Sequence, residues 1–390
     1  MARTTPQALS GVRVLDLSRL IPGPFGTLVL SDLGAQVDKV EPIGQGDYLR
    51  HFPPVRAGAS VAFHALNRGK RSAYLDLKSP AGQEAFGRLV GAYDVLMDQF
   101  RPGVLDRLGL GHEQLLERHP ELIVCALTGY GQTGPLRDRA GHDLNYLARS
   151  GVLGLQGPKG SPPQVPGFQM ADVSGGMWCV IAILAALRRR DVSGHGEICD
   201  IAMTDGVLGF AAYSLTAALA GEPYERGGEA LTGGLAPYQT YVSKDGVAMT
   251  LASLEPKFWL TFATATGLEP DGVALLVGEH QEGLKARLAE VFRSRTKDEW
   301  LAFAASHDCC VEPVVAPEDL ASEAHHQARG LLTEGLVDGE RVPYFRTPVT
   351  GRDEPIVPAP KAGEHTREIL AEAGFDETEI EALFAAGAAA

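Results

Sequence analysis

The sequence carries no glycine-rich dinucleotide fingerprint, no phosphate-loop motif, few cysteines and no long hydrophobic run. Each absence excludes something. No GxGxxG follows the first apolar segment, so nicotinamide and flavin chemistry lack their usual anchor. The five cysteines, Cys125, Cys179, Cys199, Cys309 and Cys310, are odd in number and lack metal-type spacing. Cys309 and Cys310 are adjacent, and such neighbours rarely reach disulfide geometry. Free thiols in a reducing compartment are expected. The one His pair, His325-His326, cannot share a helix face, so no metal is expected. The longest apolar run, Met177 to Leu187, falls short of the ~20 residues of a membrane span. Met1 to Ser10 is polar, unlike a secretory signal. These features predict a soluble, cytoplasmic chain with no membrane partner. Basic residues are scarce: 35 against 49 acidic ones leave a net charge of −14, which argues against a nucleic-acid partner. A small phosphorylated ligand held by local cations stays compatible.

What is present is a folded composition, 45% hydrophobic and 22% charged, rather than a disordered one. The 390 residues suggest two or three domains, or one large domain with a lobe. Val12–Leu17, Gln36–Glu41, Ser72–Leu77, Asp94–Asp98 and Leu122–Leu127 read as strands. Helices at Pro24–Leu33 and after Ser79-Pro80 alternate with them, which implies βαβ units and a mostly parallel sheet. Ligands of such sheets bind at the carboxyl ends of the strands, so Leu17–Gly23 is a candidate contact loop. Ser174–Arg190 and Thr204–Ala220 read as apolar helices, in a core or an interface, with Glu197–Ile201 as a strand between them. Glu222–Gly234 is rich in glycine and reads as a mobile loop or linker. A hairpin around Lys244-Asp245-Gly246 and helices at 258–266, 283–292 and 297–305 suggest a smaller α+β lobe. The expected division is residues 1–220 for a large α/β domain, 224–329 for the lobe, and 330–390 for a return to the large domain. The Ala-rich end, Ala385–Ala390, is expected to fray.

Three stretches concentrate reactive side chains: Gly141-His142-Asp143-Leu144-Asn145-Tyr146, Asp172 beside the long apolar helix, and Leu254-Glu255-Pro256-Lys257-Phe258. The residues alone leave two readings open. Asp172 is a helix cap, His142 a satisfied histidine and Glu255 a helix-start charge; or the three do chemistry.

Several longer blocks resemble the family III CoA-transferases, the CaiB/BaiF family. They are Leu9–Leu17 with Gly23-Pro24 and Asp32–Ala35, Asn67–Ser72 with Leu75–Lys78, Phe100–Gly109, and Thr128–Pro135. The likeness runs to Gly363–Thr366 and is strongest to the alpha-methylacyl-CoA racemase branch. It implies a large Rossmann-like domain with a parallel sheet, a smaller α+β domain, and an interlocked homodimer with its active site between the large domain of one chain and the small domain of the other. It implies coenzyme A as part of a thioester substrate, with no covalently bound cofactor. It also implies His142 and Asp172 as catalytic groups and Glu255 as the partner of the histidine. Lys70, Arg71, Arg101 and Arg107 match blocks around the nucleotide end, and Leu20, Ile21, Phe100, Val104 and Tyr146 complete the expected CoA contacts. Gly233 and Gly234 would form a glycine loop over the site. Gln99 departs from the Asn common before Phe100, and Val173–Gly176 is shorter in glycine than the racemase run.

Two mechanisms are implied. In a racemase, His142 and Asp172 exchange a proton across two faces of the α-carbon, with enolate donors expected from the amides of the Asp172 helix. In a CoA transferase, Asp172 attacks the thioester and becomes a mixed anhydride. A thioester binder without turnover would be free to lose His142, Asp172 and Glu255.

Overall fold

The computed structural model describes residues 7–351 and 354–390. The chain forms two compact units. The first holds the chain up to Ser150, Gly167–Phe210 and Ala324–Ala390; the second holds Gly151–Pro166 and Ala211–Glu323.

The first unit is built on six parallel strands: β1 (Arg13–Asp16), β2 (Gln36–Glu41), β3 (Arg71–Tyr74), β4 (Val95–Asp98), β5 (Ile123–Thr128) and β6 (Ile198–Ala202). Their order is β3-β2-β1-β4-β5-β6. Strands covered on both faces read as continuous apolar runs, and β4 and β5 are buried along their whole length. The order reverses between β1 and β4, where open parallel sheets of this winding hold ligands.

Four helices of this unit are α1 (Pro22–Asp32), α2 (Pro80–Leu89), α3 (Asp143–Arg149) and α4 (Met170–Ser193). Pro22 and Pro24 start α1, and Ser79 caps α2 through its side chain before Pro80. The 24 residues of α4 satisfy the length and hydropathy of a membrane span, yet half of its apolar stretch is buried. It lies against α1 at contact distance. A methyl group on Gly176 would stand 2.5 Å from the Pro22 carbonyl oxygen, and one on Gly26 would stand 2.9 Å from that of Gly176. The two glycines are the condition for this approach.

In the second unit β7 (Tyr238–Val242) and β8 (Ala248–Ala252) form the expected hairpin, with Thr240 opposite Thr250. A third antiparallel strand, β9 (Val311–Pro313), joins β8. Helices α5 (Pro256–Thr266), α6 (His280–Arg293) and α7 (Lys297–Ser306) enclose an aromatic core of Tyr241, Trp259, Phe262, Phe292, Trp300 and Phe303. The chain then re-enters the first unit through a hairpin, β10 (Leu332–Val337) and β11 (Glu340–Phe345), and ends in α8 (Thr366–Glu372) and α9 (Glu377–Ala385).

Five expectations are corrected. The boundaries fall at 210 and 324 rather than 220 and 329, and Gly151–Pro166 joins the second unit. The reason is the glycine-rich segment, which is packed rather than a free linker. Arg226 donates to the carbonyls of Gly154 and Ser161, and Glu225 pairs with Lys159 at 2.8 Å. Gly227 must be glycine, because a Cβ there would meet the Lys159 nitrogen at 2.5 Å. The helix expected over 204–220 is broken: Met203–Gly206, a tighter turn at Val207–Ala211, then Ala212–Leu219. Trp178 causes the break by donating its indole N–H to the Gly206 carbonyl at 2.9 Å. Ala212–Leu219 buries no residue. Helix α4 begins at Met170, so Asp172 sits inside its first turn rather than before it. Finally, the C-terminus does not fray. Ala388 accepts from the Asp76 amide at 2.9 Å, Ala389 bridges to Leu75, and both alanines are buried.

Candidate active site

The loop after β1 is held in shape by buried polar groups. Asp16 accepts from the Ser18 amide at 2.8 Å and from the Thr27 hydroxyl at 2.7 Å. Leu20 takes the left-handed conformation, φ 64°, and gives its amide to Asp47. Gln99 accepts from the amides of Arg19 and Gly23, which ties the β1 loop to the β4 loop. Its departure from Asn therefore has a structural use.

These loops, with those after β5 and β6, wall a cavity of about 360 Å³. His142 and Asp172 both line it, with Leu20, Phe100, Arg101 and Tyr146. An adjoining cavity of about 310 Å³ shares Arg19 and Phe100 and extends over the ends of β2 and β3, lined by Val104, Leu108 and Lys78.

Asp172 is not the cap of its helix: it stands in the first turn, after the N-cap Gln169, whose side chain makes no cap bond. That role falls to Asp143. One carboxylate oxygen of Asp143 accepts from the Ala171 amide at 2.7 Å and the Asp172 amide at 3.1 Å. Asp172 is left mostly buried beside a second carboxylate. Burial, then the charge of Asp143, raises its pKa to about 7. Tyr146 is pushed up to about 12, by burial first and by Asp172 next. Its hydroxyl donates to the Gly141 carbonyl, and its ring meets Tyr130 edge-on at 5.2 Å. His142 is exposed, and its amide donates to Asn145 at 3.1 Å.

Other expected contacts fall elsewhere. The Lys70 ammonium is enclosed by Thr27 at 2.8 Å, Asn67 and the Pro24 carbonyl at 3.0 Å, and Asp16 at 3.5 Å. Its side chain has no exposed surface. Burial lowers its pKa to about 7. Arg71 is spent on Asp38, Glu368 and Glu372. Neither lines the catalytic cavity or its neighbour; both border a separate cavity of about 800 Å³. Both side chains are thus engaged by partners within the protein. Ile21 precedes α1 and lines neither of the two adjoining cavities, and neither does Arg107, which is exposed. In the second unit, Glu255 precedes α5 with an exposed side chain that makes no cap bond. Gly233, at φ 106°, lines a cavity of about 410 Å³ with Tyr238 and Gln239. Gly234 lies against the Gly228 carbonyl, where a Cβ would be 2.0 Å away.

The expected enolate donors are also corrected. The Ala171 and Asp172 amides already donate to Asp143. Sequence reasoning missed Arg19, Arg137 and Arg139, which line the catalytic cavity with Arg101. For Arg137 and Arg139 the nearness to Gly141-His142 was the available signal. Arg19, Arg101 and Arg139 have no carboxylate partner among the described residues, so the cavity is set for an anion.

A Rossmann-order sheet with a carboxyl, an imidazole and free guanidiniums at its switch point defines an enzyme for acid–base or acyl chemistry on an anionic ligand. Residues 9–366 match CoA-transferase family III, and the chain belongs to that family. It is 37% identical to alpha-methylacyl-CoA racemase of Mus musculus over 380 residues, covering 95% of each chain. It is 32% identical to succinyl-CoA:glutarate CoA-transferase of Mus musculus, covering 97% of this chain and 89% of that one. A solved CaiB/BaiF family protein from Brucella suis superposes with a TM-score of 0.82 at 32% identity, over 95% of this chain and 100% of that chain. The substrates of this family are CoA thioesters.

Proposed function

We propose that the protein inverts the α-carbon of 2-methylacyl-CoA thioesters. The observation that carries the reading is that His142 and Asp172 line one cavity while Asp172 has a pKa of about 7. A group poised there is both acid and base near neutrality. In one direction the neutral His142 imidazole removes the α-proton and protonated Asp172 returns one to the opposite face. The reverse direction exchanges the roles. Between the two steps the thioester is an enolate. Arg101, Arg19, Phe100 and Val104 receive the CoA moiety across the two adjoining cavities.

In this proposal the active protein is an interlocked homodimer in the cytoplasm. Glu255 orients the His142 imidazole, and the loop at Gly233-Gly234 covers the reacting acyl group. A second reading has support from the 32% identical transferase and from Asp172, which is free of capping duty. There Asp172 attacks the thioester carbon and the CoA thiolate leaves, giving a mixed anhydride; the thiolate attacks the aspartyl carbon, which releases the donor acid and leaves an aspartyl-CoA thioester; the acceptor carboxylate displaces the thiolate to form a second anhydride, and the thiolate then takes the acceptor acyl group, giving the new acyl-CoA and free Asp172.

The test is incubation with (2S)-2-methylacyl-CoA in deuterated water without an acid acceptor. Deuterium at the α-carbon with inversion is the expected result. CoA appearing on an added carboxylic acid, with no exchange, overturns it in favour of the transferase. His142→Ala is expected to slow exchange by about 10²–10⁴-fold while CoA binding persists.

A further inference from the structure

We propose that Asp143 is a positioning residue that locks His142 and Asp172 into one reacting geometry. The inference rests on the acid–base reading of the site. Asp143 follows His142 directly, yet its carboxylate oxygen bonds the amides of Ala171 and Asp172, 28 and 29 residues away. One side chain thus fastens the start of α3 to the first turn of α4, and each of those turns carries one of the two reacting groups. Asp143 does not line the catalytic cavity, so it acts through its neighbours rather than on substrate.

A neutral acceptor would serve as a cap. A carboxylate does more, because its charge opposes the ionisation of Asp172. The other charged or titratable groups lining the cavity are Arg19, Arg101, Tyr130, Arg137, Arg139, His142 and Tyr146. Burial and Asp143 are the two causes that hold the proton on Asp172.

Two variants separate the roles. Asp143→Asn keeps an acceptor oxygen and removes the charge; Asp143→Ala removes both. The first readout is a carbon-13 carboxyl titration of Asp172 in the free protein, assigned by its loss in Asp172→Asn. In Asp143→Asn the midpoint is expected to fall below about 7, and the rise of rate with pH in the direction where Asp172 removes the proton moves down with it. The second readout is α-deuterium exchange. Asp143→Ala is expected to lose about tenfold or more in kcat with little change in KM, and Asp143→Asn to recover part of that loss. An unmoved midpoint in Asp143→Asn, or equal kcat losses in both variants, overturns the proposal. If the native protein exchanges no α-proton, the racemase reading falls, while the carboxyl titration still decides the role of Asp143.

Discussion

Lys70 and Asp172 both titrate near pH 7, and burial is the first cause for each. Their surroundings separate them. Lys70 has four oxygen partners and no exposed surface, so it is a cross-link of the core. Asp172 has Asp143 on its amide and faces a cavity, where a carboxyl with a displaced pKa is a candidate for the proposed proton transfer. This carries a cost in stability. Between about pH 3.9, the unfolded midpoint, and about 7, folded Asp172 keeps a proton that the unfolded chain has released. Stability therefore falls as pH rises through that window, and the penalty is complete above it. Asp172→Asn is expected to be more stable than the native chain at pH 8, by up to a few kcal/mol at about 1.4 kcal/mol per tenfold change in the acidity constant. The gain should vanish below pH 4. Urea unfolding at the two pH values measures it, and equal native and variant stability at pH 8 refutes it.

At the scale of elements, α4 couples the core to the site. Its first turn carries Asp172, and its middle is pressed on α1 through Gly26 and Gly176. Gly176→Ala is expected to cost about 1–3 kcal/mol, since the added methyl meets backbone that cannot rotate away. Thermal unfolding checks this, and an unchanged Tm rejects the close-approach argument. Most strands were legible, because β4 and β5 are apolar up to their last residues, Asp98 and Thr128, and α1 and α2 announce themselves with proline. The break after Gly206 was not, because an indole 28 residues away takes its carbonyl. The β10–β11 hairpin did have a signal, Asp338-Gly339, both with positive φ. It went unread because glycine, proline and charge interrupt the apolar residues of the flanking strands.

At the scale of the whole molecule, α4 presents an apolar face that is open among the described residues. Met177, Ile181 and Leu184 recur at helical spacing on α4 at 43%, 51% and 36% exposure, with Trp178 beside them. A homodimer that covers this face is the expected assembly. Sedimentation at micromolar concentration should give twice the chain mass, and Ile181→Glu should shift the population toward monomer. A native chain that sediments as a monomer refutes the assembly. The net charge of −14 sits beside a cavity lined by four arginines, so total charge is a poor guide to a small anionic ligand.

Periodicity along the chain was enough to determine an alternating α/β architecture with a parallel sheet, and the ordered motif blocks were enough to determine the family. Both are properties of residues near one another in sequence. Which polar groups are spent and which are free was decided only by the tertiary structure. Lys70 matched a phosphate contact and is consumed by Thr27 and Asn67. Asp172 matched a cap and is released from that duty by Asp143. A hydrogen bond forms within about 3 Å whatever the separation along the chain, and the partners that settled these roles lie up to 54 residues away.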